Sequence, residues 1–126
     1  MMKYDSTRGE ILDGIISDQA YQAGDELAKK RKMFGTETWF LNGYMFAGAG
    51  QTGVFVHLGE SATQAAVETN DMIGVFSPRD GMVMKNYALI LPPHCDDRSV
   101  LTPWLEKSAA YLANLPRKEP KKRRKT

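Results

Sequence analysis

Lys30 to Phe46 reads KRKMFGTETWFLNGYMF, and the reading of this stretch decides the fold. Its second half sets two aromatic-rich runs, Thr38-Trp39-Phe40-Leu41 and Tyr44-Met45-Phe46, on either side of Asn42-Gly43. Asn-Gly is the dipeptide that most favours a type I′ hairpin turn, because both central residues need positive φ. The stretch therefore predicts a β-hairpin. Ala47 to Gly53 supplies a glycine-rich turn into Val54-Phe55-Val56-His57-Leu58, a third run of residues that suit strands, so a three-stranded antiparallel meander is expected.

Working outward, Ile11, Leu12, Ile15 and Ile16 share one helical face and predict an N-terminal helix, which Ser6 or Thr7 would cap. Gly9 and Gly14 each weaken it by about 1 kcal/mol relative to Ala. Tyr21 to Lys30 reads as a continuation of that helix past Gly24 or as a second short turn. Beyond the meander, Ser61-Ala62-Thr63-Gln64 fits a capping box that opens a short helix running to about Glu68. Ile73 to Phe76 reads as a short strand, Pro78 to Gly81 as a turn, and Met82 to Leu91 as the last strand, which Pro92-Pro93 ends. Thr102 is the expected N-cap of a final helix, with Pro103 at its first position. Trp104, Leu105, Ala109, Leu112 and Leu115 form its apolar face, and Pro116 closes it.

The order predicts an α+β fold: an antiparallel sheet of a meander plus later strands, with N-terminal and C-terminal helices packed on it. Residues 1–116 are expected to form the domain, with 1–28 as its N-terminal helical segment. Residues 117–126 are expected to form a disordered basic tail.

Composition limits the function. A chain of 126 residues has the size of one domain, and 42% hydrophobic with 25% charged residues is ordinary for a globular protein. The single cysteine, Cys95, excludes an internal disulfide; with no leader-like start, a cytoplasmic setting is expected. No apolar run approaches the ~20 residues of a membrane helix, so no membrane is expected as a partner. Arg117 to Thr126 holds seven of the 17 Lys and Arg residues but only one of the 15 Asp and Glu residues. The body is therefore acidic and the tail strongly basic.

Candidate chemistry is sparse. His94, Cys95, Asp96 and Asp97 are contiguous, and adjacent residues rarely converge on one metal ion without a distant second pair. No motif fixes Cys95 or a serine beside a histidine for nucleophilic work, and His57 between Val56 and Leu58 reads as an ordinary sheet histidine. Gly48 to Gly53 joins strand to strand and opens no helix, so it offers no helix N-terminus to a phosphate. No catalytic, metal or cofactor residue is expected. Two basic clusters remain. Lys121, Lys122, Arg123, Arg124 and Lys125 read either as a nucleic-acid arm or as a solvated tail. Lys29, Lys30, Arg31 and Lys32 read either as a companion patch or as a helix C-terminus, where cations favour the negative end of the dipole.

Several of these pieces together resemble one known family. Lys32-Met33-Phe34-Gly35, followed by Phe40-Leu41-Asn42-Gly43-Tyr44-Met45-Phe46-Ala47-Gly48, is similar to the hairpin signature of the TfoX/Sxy N-terminal domain. Val54 to Gly59, Asp80 to Leu91 and Trp104 to Pro116 resemble that family's later strands and closing helix, in the same order. His57 stands where the family usually has Arg, Gly81-Met82-Val83 where it has Gly-Arg-Pro, and Asn86 where it has Gly. The resemblance implies an α+β domain without established catalytic residues. Full-length members regulate bacterial competence genes and carry a second domain, so a stand-alone N-terminal domain ending in a basic tail is expected. The implied function is a non-enzymatic bacterial regulatory or interaction module acting through protein contacts, with nucleic-acid binding through the tail as the alternative. An exposed edge strand also leaves a homodimer open.

Overall fold

The computed structural model describes residues 6–23, 26–33, 36–50, 52–79 and 81–116. It is an α+β fold. Helix α1 (Ser6–Gln19) is followed by β1 (Gln22–Ala23), β2 (Glu26–Leu27), β3 (Lys29–Met33), β4 (Thr36–Leu41), β5 (Tyr44–Ala49) and β6 (Val54–His57). Then come α2 (Glu60–Thr69), β7 (Ile73–Arg79), β8 (Met82–Ile90), a single 3-10 turn at His94–Asp96, and α3 (Arg98–Ala113). β1 and β2 pair only with each other, and the other six strands form one antiparallel sheet in the order β3-β4-β5-β6-β8-β7.

The predicted hairpin stands where the sequence places it. Leu41 pairs with Tyr44 across Asn42 and Gly43, whose φ angles are 57° and 83°. Between Trp39 and Phe40 the β4–β5 register shifts, so Trp39 faces Ala47 while Phe40 faces Met45. Phe46 is the extra residue of this bulge, which turns it and Ala47 toward the helices together. Gly48 then faces the other way, and the fit is close: a Cβ there would lie 2.2 Å from the Phe55 ring.

Alternation divides the sheet into two faces. Trp39, Phe46, Val54, Val56, Ala88 and Ile90 form the main core with Leu12 and Ile15 of α1, Ala66 of α2, and Leu101, Leu105 and Leu112 of α3. Each such fully buried side chain contributes about 1.5–3 kcal/mol relative to exposure. The opposite face carries a second cluster of Met45, Phe55, Phe76, Tyr87 and Leu89, all from strands. Phe55 of β6 and Phe76 of β7 stack at 4.2 Å across the intervening β8. The β7–β8 ladder breaks register twice, at Val75/Phe76 and Phe76/Arg79. Irregular pairing of this kind adds local twist, so this end of the sheet curls.

Four expectations about boundaries need correction. The N-terminal helical segment expected over 1–28 ends at Gln19, because Ala20 takes a left-handed φ of 50° that no helix continues through. Within Tyr21 to Lys30, Gln22–Ala23 and Glu26–Leu27 are strands, and Lys29–Met33 is a strand, not a helix C-terminus. The Ser61/Gln64 capping box does not form: α2 starts at Glu60 behind Gly59, without a side-chain cap, and the Gln64 amide donates to Glu68 Oε2 at 3.1 Å. The last helix begins at Arg98, five residues before Pro103, where it was expected to open. Asp97 is its N-cap, accepting from the Ser99 N–H at 2.9 Å, and Thr102 sits inside, its hydroxyl bonded to the Arg98 carbonyl at 2.8 Å. Asp97 outcompetes Thr102 because its carboxylate also accepts the Ser99 hydroxyl at 2.7 Å; these bonds hold the Asp97 pKa below its ordinary value. The tail expected over 117–126 lies outside the described residues.

Long-range polar contacts tie the helices to the sheet. Asn42 donates from its side-chain amide to the Leu112 and Leu115 carbonyls at 2.7 and 2.9 Å, satisfying the end of α3 from 70 or more residues away. The Tyr44 hydroxyl donates to the Pro116 carbonyl at 2.8 Å. Arg8, buried on α1, donates to Asp96 Oδ1 at 2.9 Å and to the Gly50 carbonyl at 3.0 Å. Arg98 of α3 pairs with Asp18 of α1.

Candidate interaction surface

The side chains best suited to chemistry are committed to the fold. His57 is buried, its Nδ1 lies 3.1 Å from the Met45 carbonyl, and its ring lies 4.4 Å from that of Tyr87. The Ser108 hydroxyl donates to the His57 carbonyl at 2.7 Å, which joins α3 to β6. Burial pushes the Tyr87 hydroxyl well above its ordinary pKa, and pushes Tyr21 up to about 12 with help from Glu106. Cys95 is buried in the main core, and desolvation raises its thiol pKa although Arg8 nearby opposes the shift. A thiol in that setting is a poor nucleophile. Among the described residues, no three His, Cys, Asp or Glu side chains gather to hold a metal ion.

Of the two basic clusters, Lys121, Lys122, Arg123, Arg124 and Lys125 lie outside the described residues. Lys29, Lys30, Arg31 and Lys32 belong to β3, at one end of the six-stranded order. Five consecutive pairs join β3 to β4 without a register shift, from Lys29↔Phe40 to Met33↔Thr36. The strand period divides this cluster, contiguous in sequence, between two faces. Lys30 pairs with Trp39 and lies over its ring at 5.8 Å, on the helix side, with Glu37 Oε1 3.8 Å from its ammonium. Lys29 and Arg31 turn to the opposite face. The Arg31 guanidinium lies 5.3 Å from the centroid of the Phe40 ring, and the Lys29 ammonium is 3.3 Å from Glu26 Oε2. These exposed ion pairs contribute little to stability, since water screens them. Lys30 combines such a pair with its place over the Trp39 ring.

Glu26, Glu37 and Phe40 are the members of this surface that sequence reasoning missed, and the buried Trp39 ring lies beneath Lys30. One signal for them was present, the Thr36-Glu37-Thr38-Trp39-Phe40 run shortly before the Asn42-Gly43 turn. Of the two readings open for Lys29 to Lys32, a companion patch or a helix C-terminus, neither supplied that run with a partner strand.

Two open grooves flank α2. One, of about 390 Å³, runs between α2 and the β7–β8 hairpin and is lined by Thr63, Val67, Val75, Val83 and Lys85. The other, of about 440 Å³, lies between α2 and α3, lined by Ala62, Ala65, Ala66, Trp104 and Tyr111. No helix among the described residues is long and apolar enough to cross a membrane. No family model matches the chain, and no curated protein or solved structure matches it.

Proposed function

We propose that this chain is a non-enzymatic interaction module of the bacterial regulatory type, working through protein contacts at its sheet edge. The observation that carries the reading is β3: an unbroken ladder at the end of the sheet, with Lys29, Lys30 and Arg31 displayed on two faces. The burial of His57 and Cys95 in structural contacts supports the non-enzymatic part. The resemblance of Lys32 to Gly48 and of the later strands to the TfoX/Sxy N-terminal domain supports the regulatory part, with a role in competence gene expression as its specific form. The test is affinity capture with the intact protein from bacterial cells in which it is abundant. A reproducible partner, released by competition with untagged protein, is the expected result; capture of none overturns the reading.

Nucleic-acid binding is the second reading, and one contact favours it. Tyr44 of β5 donates to the Pro116 carbonyl, so the residue that precedes the basic tail is tied to the strand two places from β3 in the sheet. Tail and edge cations would then act on one polyanion. Seven tail cations on duplex DNA give a slope of about −6 in log affinity against log salt. Comparing the intact chain with one ending at Pro116 across salt concentrations decides it, and negligible binding by both excludes it.

A further inference from the structure

β3 has the properties of a strand that is half of an interface. In an antiparallel sheet every second residue of an edge strand turns its N–H and C=O away from its neighbour. Five regular pairs with β4 make the outer side of β3 equally regular. The β1–β2 pair, which precedes it, is a separate two-stranded sheet, and among the described residues it pairs with no strand of the large one. Among the described residues, the backbone bond nearest to this edge is Ala28 N–H to the Tyr21 carbonyl, at 3.3 Å, just before the strand begins.

The side chains say what such an edge accepts. Arg31 and Lys29, the latter 3.3 Å from Glu26, project two residues apart on the face opposite the helices, and Lys30 projects on the helix side, 3.8 Å from Glu37. An added strand places its own alternate side chains beside these. A second copy of the chain would set cations against cations, which destabilises the pair. A segment with carboxylates at every second position sets them beside Lys29 and Arg31, and the planar guanidinium of Arg31 suits bidentate pairing.

We infer that β3 takes up an acidic extended segment of a partner protein as an added strand, with alternate Asp or Glu side chains meeting Lys29 and Arg31. This rests on the interaction-module reading and names the partner's chemistry. Main-chain hydrogen bonds supply the affinity and the cations supply the selection.

The test titrates the full-length, isotopically labelled protein with a short capped peptide alternating Glu and Thr, read by amide shifts and hydrogen exchange. The expected result is slowed exchange confined to Lys29–Met33. The Lys29→Glu, Arg31→Glu double variant should lower affinity about tenfold or more, with the Tm preserved. If that variant does not fold, Arg31→Gln, which keeps a planar, polar end group on a shorter side chain and removes the charge, should still weaken binding. The same peptide N-methylated at alternate amides keeps its charge but loses its ladder bonds, and should not bind. Equal binding by the N-methylated peptide, or by oligothymidylate with no change in exchange at β3, overturns the inference in favour of a plain polyanion site. No binding by either peptide also overturns it. Capture of a cellular partner by the double variant, undiminished, would overturn the edge site and leave the module reading standing.

Discussion

The two ends of the sheet are protected from unwanted pairing by different means. β3 is regular along its five pairs and carries consecutive cations, whereas β7 carries Ile73-Gly74-Val75-Phe76-Ser77 and breaks register twice against β8. Pro78 adds a position with no N–H to donate. Irregularity refuses every incoming strand, because the ladder itself is interrupted. Charge refuses only strands that are apolar or cationic, and it admits an acidic one. An edge guarded by charge alone is therefore selective, and this difference directs the search for a partner to β3.

The largest expected effect falls on what the two edges share. Phe46, fully buried at the bulge of β5, contacts the core from the middle of the sheet, and Phe46→Ala should cost about 3–5 kcal/mol in chemical denaturation. Hydrogen exchange should then show β3 and β7 losing protection together. Independent loss at one edge would mean that the sheet does not melt as a unit.

Asn42→Gly should affect the β3 end alone. Glycine keeps the positive φ of the turn, so what is lost is the pair of bonds to Leu112 and Leu115, about 1 kcal/mol each and about 2 kcal/mol together. Unchanged stability would show that the turn, and not the helix anchor, is all that Asn42 supplies.

Alkali should act through both clusters, through Tyr87 on the face that holds Phe76 of β7 and through Tyr21 beside Phe46 in the main core. Burial raises the Tyr87 and Tyr21 pKa values above their ordinary 10.0, Tyr21 to about 12, so the folded state holds those protons more tightly than the unfolded chain. Their contribution to stability is full below pH 10.0 and is lost as the pH rises through the folded values. Thermal melts from pH 9 upward should fall accordingly, and Tyr87→Phe, at a ring 6.0 Å from that of Phe76 of β7, should flatten the fall. A melt temperature constant through this range contradicts the assignment.

The smallest effect on stability, and the most direct on the comparison, comes from removing the edge charges. Lys29→Thr with Arg31→Val should change stability by no more than about 0.5 kcal/mol, as is usual at exposed positions, yet promote self-association in sedimentation velocity. Ser77→Val at the irregular edge should leave the sedimentation coefficient unchanged. Association of both variants, or of neither, would remove the distinction between the edges.

The sequence alone determined the α+β class, the Asn42-Gly43 hairpin, the meander that follows and the approximate positions of the last two strands. These rest on local rules, a turn that needs positive φ and a side-chain period of two, which neighbouring residues declare among themselves. Tertiary structure decided the rest. Lys29 to Lys32 are compatible with a helix end or a strand, and only pairing with Thr36–Leu41 selects the strand, places it at an edge and sends Lys29 and Arg31 to one face. Asn42 is a turn residue by sequence, but its bonds to α3 depend on where the chain returns some 70 residues later. The capping assignments at Ser61 and Thr102 failed for a related reason: a helix start is chosen by the packing of its whole apolar face, and Gly59 and Asp97 lie where that packing begins.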